Sequence, residues 1–101
     1  MTIRRQLAET QPAAYLPDLA GSLNNLASFL SEQGDAQSRT EALACAREAV
    51  TIYTHAWKAM PHAYDRNLKI ASRCFVRCAE ALTLNGTSEL EALMMEIESR
   101  G

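Results

Sequence analysis

The stretch from Leu19 to Val50, LAGSLNNLASFLSEQGDAQSRTEALACAREAV, constrains the fold of this chain more than any other. Leu19, Leu23, Leu26, Ala27 and Leu30 recur at the spacing that gathers apolar side chains on one face of a helix. Gly34 follows, and glycine takes without strain the left-handed backbone that ends a helix. Ser38-Arg39-Thr40-Glu41 then has capping-box spacing, with a hydroxyl and a carboxylate placed to satisfy free N–H groups at a second helix start. Ala42, Ala46, Ala49, Tyr53 and Ala56 form the inner face of that second helix, and its alanines let a neighbouring helix approach closely. The stretch therefore predicts two antiparallel helices hinged at Gly34.

Composition agrees with helix and excludes several classes. The hydrophobic 48% of the 101 residues is rich in alanine and leucine and poor in aromatics, which favours helix over sheet. With 22% charged residues the chain reads as one small soluble domain, or part of a larger one. A net charge of −2 is too near neutral to imply nucleic acid, and no apolar run approaches the roughly 20 residues that span a bilayer. Arg4 and Arg5 are not followed by the apolar core of a signal peptide. The three cysteines are odd in number and lack disulfide-framework spacing, which fits a reducing, cytoplasmic setting.

The hairpin has partial copies. Thr2-Ile3, Pro12, Ala14-Tyr15 and Leu19 reappear 49 residues on as Thr51-Ile52, Pro61, Ala63-Tyr64 and Leu68. Glu41-Ala42-Leu43 returns as Glu91-Ala92-Leu93, and Ala27, Leu30 and Gly34 return as Ala79, Leu82 and Gly86. A second capping box, Ser88-Glu89-Leu90-Glu91, precedes the second Glu-Ala-Leu. About five helices are expected. The first runs from Thr2 to Gln11 and breaks at Pro12; the second has Pro17 in its first turn and ends near Gln33. The third spans about Arg39 to Met60 and is ended by Pro61. The fourth spans about Ala63 to Asn85, closed by Asn85-Gly86, and the fifth about Glu89 to Arg100.

Leu23-Asn24-Asn25-Leu26-Ala27, Gly34-Asp35, Glu41-Ala42-Leu43, Ala49-Val50 and a closing Pro61 together resemble a tetratricopeptide repeat. The wording is most similar to the longer bacterial and kinesin-light-chain-like variety, which Pro17-Asp18-Leu19-Ala20 and Val50-Thr51-Ile52-Tyr53 also fit. One repeat, residues 16–60, matches well, flanked by partial repeats over 1–15 and 61–101. The chain departs from the pattern in its extra residues between Gly34 and Glu41 and in Met94-Met95-Glu96-Ile97. The resemblance implies an all-α chain of antiparallel helical hairpins stacked as a short solenoid, a single domain over 1–101. It further implies a non-catalytic protein–protein interaction module, a scaffold or adaptor without cofactor, holding a peptide in a groove lined by the first helices of its repeats.

The candidate peptide-binding residues follow. Asn24 and Asn25 sit off the leucine face, with Ser28 a turn further on, and asparagine amides can bond a peptide backbone as donor and acceptor. Lys69, Arg73 and Arg77 recur every fourth residue opposite the apolar face formed by Leu68, Ala71, Phe75, Ala79 and Leu82. By resemblance, Asn25, Arg73 and Arg77 fall where carboxylate-clamp repeats hold a peptide's C-terminal carboxylate, a task for which the planar guanidinium fork is suited. The partner would then be acidic or carry a free C-terminal carboxylate. The competing reading makes the three cations a solvated face, or one neutralised by Glu89, Glu91, Glu96 and Glu98.

Other chemistry finds little support. Cys74 and Cys78 are one helical turn apart, with His55 and His62 nearby in sequence, yet no metal-ligand spacing accompanies them and packing is expected instead. No nucleophile signature surrounds any cysteine, so no catalytic residue is expected. Tyr53 and Trp57 should fill the core between repeats, and Tyr15 and Tyr64 the hairpin junctions. Leu90, Leu93, Met94 and Ile97 make a late apolar stripe. That stripe either folds back as a cap or meets another copy or a partner, so homo-oligomeric assembly stands as a second reading. A regulatory region of a larger effector enzyme is a third.

Overall fold

The computed structural model of the chain describes residues 12–100, and these form four α-helices with no strand among them. We number them α1 (Pro12–Glu32), α2 (Ala36–Ala59), α3 (Pro61–Ala81) and α4 (Gly86–Arg100). The helix expected over Thr2 to Gln11 lies outside the described residues. The other four fall where the apolar periodicity puts them, and their ends differ in instructive ways.

Helix α1, described from Pro12 on, carries Pro17 in its interior, whereas the sequence places Pro17 in the first turn. Pro17 forfeits one backbone bond, to the carbonyl four residues earlier. Gly34 closes the hairpin as expected, with a φ of 84°.

The caps differ from expectation. Asp35 is the N-cap of α2: its carboxylate accepts from the Ser38 backbone N–H at 2.7 Å and from the Ser38 hydroxyl at 2.9 Å. Ser38 is thus held by the cap and is not the cap itself. Asn85 repeats the arrangement at α4, accepting from the Ser88 N–H at 3.0 Å. An aspartate or asparagine three residues before a serine reaches the free N–H groups of the first turn, and Glu41 and Glu91 are left exposed.

Between α2 and α3 only Met60 is non-helical: its N–H donates to the Ala56 carbonyl, and its own carbonyl accepts from Ala63 and Tyr64. Helix α3 ends at Ala81, four residues before the expected Asn85. Thr83 takes a left-handed φ of 62°, and the Leu84 N–H reaches back to the Ala79 carbonyl at 3.1 Å while Thr83 bonds Glu80 at 3.0 Å. This bond pair is a Schellman closure, built on threonine in place of glycine.

Helix α2 packs against both α1 and α3, α4 packs against α3, and α1 also touches α3; α1 and α4 do not pack on one another. The core joins Leu19, Leu23 and Ala27 of α1 to Ala42, Ala46, Ala49 and Val50 of α2. Ala71, Cys74, Phe75 and Cys78 of α3 and Leu93 and Ile97 of α4 complete it. Three alanines down α2 bring its axis close to both neighbours, the close approach that small side chains permit. Tyr53 is buried as expected and Tyr15 and Tyr64 pack at the margins, but Trp57 is 37% exposed and lies outside the core cluster it was expected to fill. The late stripe folds back: Leu93 and Ile97 are buried and Leu90 and Met94 pack against the core, so this face needs no second copy to cover it.

Candidate functional site

Two clefts run along α3. The larger, an open groove of about 650 Å³, is lined by Ile70, Ser72, Arg73, Val76 and Arg77 of α3 and by Leu90 of α4. Ile70, Arg73 and Arg77 lie three and four residues apart and so share one side of the helix. The smaller, of about 140 Å³, lies between α1 and α3 and is lined by Ser28, Ser31 and Glu32 on one side and Cys74, Arg77 and Cys78 on the other. Arg77 borders both.

The six residues singled out from the sequence divide among these places. Arg73 and Arg77 line the larger groove, and Arg77 meets Ser28 at the smaller. Asn25 is exposed on α1, whereas the Asn24 amide oxygen is sealed from solvent without a hydrogen-bond partner. The Asn24 backbone carbonyl faces the Cys74 thiol at 4.0 Å. Lys69 borders neither cleft and pairs with Asp65 at 2.9 Å, one helical turn back. Ile70 and Val76 are groove residues that the sequence does not single out, and Leu90, expected as part of the late apolar stripe, also borders the groove. Ile70 alone carried a usable signal, being a large apolar residue on the cationic side of α3.

The electrostatics of the groove are uneven. Among the described residues Arg73 and Arg77 have no carboxylate partner, while Glu96, one candidate to neutralise them, pairs with Arg47 across α2 and α4. The groove therefore offers two cations above an apolar floor.

The smaller cleft holds a polarised thiol pair. The Cys78 thiol one helical turn on pulls the Cys74 thiol down to about 6, helped by the Ser28 hydroxyl and the Arg77 guanidinium and opposed by burial. The neighbouring Cys74 sulfur and burial push Cys78 upward. Ser28 Oγ lies 3.7 Å from Cys74 Sγ. Among the described residues no group of three or more histidine, cysteine, aspartate or glutamate side chains is placed to hold a metal ion. None of the helices described is long and apolar enough to cross a membrane.

A third hollow, of about 350 Å³, opens where α2 meets α3 and is lined by Pro17, Ile52, His55, Ala56, Met60 and Tyr64 among others. It is mostly apolar, with His55 and Tyr64 as its polar side chains.

No protein-family model, curated protein or solved structure matches this chain.

Proposed function

We propose that this chain is a non-catalytic protein-binding module, a stack of tetratricopeptide-like hairpins that seats an acidic helical segment of a partner in the groove on α3 and α4. The observation that carries the reading is the pair Arg73 and Arg77, a helical turn apart, without a carboxylate partner among the described residues and set over Ile70, Val76 and Leu90. A guest helix with two carboxylates one turn apart would answer the cations, and its apolar stripe would cover the floor, as in helix-in-groove recognition.

Internal correspondence supports a guest of helical width. In the register that pairs Ala27 with Ala79, Leu23 and Ala27 of α1 are buried, and so are Phe75 and Ala79 of α3. Ala20 of α1 is fully buried and the Asn24 side-chain oxygen is sealed, while the corresponding Ser72 and Val76 border the open groove. The groove thus stands to α3 and α4 much as α3 itself stands to α1 and α2. The three free thiols fit a reducing compartment, and we read the setting as cytoplasmic.

The test is a titration with an amphipathic helical peptide carrying glutamates four residues apart beside a leucine stripe. Arg73→Glu combined with Arg77→Glu should weaken binding at least about tenfold, the loss expected when two charge-assisted bonds become repulsive. Equal affinity for the double variant and the parent chain would overturn the reading.

A further inference from the structure

We propose that the surface made by α3 and α4 is self-complementary: the acidic helix seated in the groove is α4 of a second copy of this chain, and the two copies form a symmetric dimer. The inference rests on the reading of the groove given above and names its occupant.

The chain itself carries the guest that the groove calls for. On α4, Glu91, Met95 and Glu98 stand four and then three residues apart, so they share one side of the helix, and all three are exposed. Met95, at 74%, is the most open of the large apolar side chains among the described residues. Among the same residues neither Glu91 nor Glu98 is paired with a cation, whereas Glu96 is held by Arg47.

The matching half lies alongside on α3. Arg73 and Arg77 stand without a carboxylate among the described residues, and Ile70 on their side of the helix is 45% exposed. Leu90 borders the groove and is followed in the chain by Glu91, so the cationic and acidic halves meet in one continuous surface.

A two-fold axis asks for this arrangement, because a patch that faces a copy of itself must answer whatever it offers. Glu91 and Glu98 of each chain then meet Arg73 and Arg77 of the other, and each Met95 covers the other copy's Ile70, Val76 and Leu90. Along their helices the arginines lie about 6 Å apart and the glutamates about 10.5 Å, a difference that long arginine side chains span. A foreign acidic helix would answer the cations and leave Met95 bare between two unpaired carboxylates. A second copy covers both halves at once.

The test is charge exchange between chains, read by analytical ultracentrifugation of the full chain from roughly 1 μM to 1 mM, where associations of ordinary strength appear. The parent chain should dimerise, and less so as salt rises. Arg73→Glu with Arg77→Glu sets glutamate against glutamate, and Glu91→Arg with Glu98→Arg sets arginine against arginine. Each variant alone should associate at least about tenfold more weakly. An equimolar mixture of the two should regain the parent's association as a heterodimer, because every cross-pair is then opposite in sign. All four positions are exposed, so the fold should survive the exchange, which circular dichroism checks. A parent chain that stays monomeric throughout the range overturns the proposal, and so does a mixture no more associated than its two components. The groove reading is judged apart from this, by titrating the glutamate-bearing peptide into Glu91→Arg with Glu98→Arg, whose groove arginines are intact. Binding there beside a monomeric parent would refute the second copy and keep the groove for a foreign guest; no binding beside a monomeric parent would remove both.

Discussion

Gly86 sits against Val76 with no room for a side chain: a Cβ placed on it would lie 2.6 Å from Val76 Cγ1 and 2.7 Å from the Val76 carbonyl oxygen. The first turn of α4 is therefore set directly on the backbone of α3. A backbone oxygen cannot swing aside as a flexible side chain would, so a methyl group here must separate the two helices. Gly86→Ala should destabilise the fold by about 1–3 kcal/mol, the usual cost of overpacking, seen as a lower midpoint in urea. An unchanged midpoint would mean that α4 docks less closely than described.

Thr83 invites the opposite change. It occupies a left-handed backbone site, at φ 62°, where a β-branched residue is strained and glycine is at ease. Thr83→Gly should raise stability by about 1 kcal/mol, measured by thermal and urea unfolding, and Thr83→Val should lower it. Loss of stability in the glycine variant would show that the Thr83 hydroxyl bond to the Leu82 carbonyl outweighs the strain.

The Asp35 cap makes stability depend on pH. Its carboxyl is held below the usual carboxylate value, first by the Ser38 backbone N–H and then by the Ser38 hydroxyl. A carboxyl whose folded value is depressed contributes its stabilisation above the unfolded value and loses it as pH falls through the folded one. Asp35→Ala should lower the melting temperature at neutral pH and narrow its gap to the parent chain in acid. Asp35→Asn should keep most of the cap at neutral pH, since asparagine also accepts this bond. A constant gap between parent and alanine variant from neutral to acidic pH would contradict the cap's role.

Cys74 should react with iodoacetamide along a pH curve whose midpoint lies near about 6, flattening where an ordinary thiol is still gaining reactivity. Arg77→Met removes one of the groups that favour the thiolate and should move that midpoint upward; Ser28→Ala should do the same. A midpoint that stays in the ordinary thiol range in the parent chain would remove the polarised pair.

The helices themselves were legible because their signal is local: leucine and alanine at helical spacing, broken at Gly34 and at Pro61. At the caps the sequence pattern misleads for a physical reason. Ser38 and Ser88 each precede a glutamate by three residues, matching a capping box, yet a longer side chain three residues earlier, Asp35 or Asn85, reaches the first-turn N–H groups. Thr83 gives no hint in sequence of a left-handed backbone, and Gly86 looks like a terminator although it serves a close approach. Of the site, Arg73 and Arg77 could be seen as cations on one helix face. Which apolar residues would lie beside them depends on how far α4 covers α3, a tertiary fact that places Leu90 and Val76 at the groove. Asn24 and Asn25 look alike in sequence, but the Asn24 amide oxygen is sealed and its backbone carbonyl lies against Cys74 of α3.

Arg77 has two neighbourhoods and one charge. A carboxylate arriving from the groove and a sulfur anion on the inner side would compete for the same guanidinium. Linkage then requires that whatever a docked guest adds to the proton affinity of the sulfur, the protonated sulfur returns as tighter docking. Acidity and occupancy would be two readings of a single equilibrium.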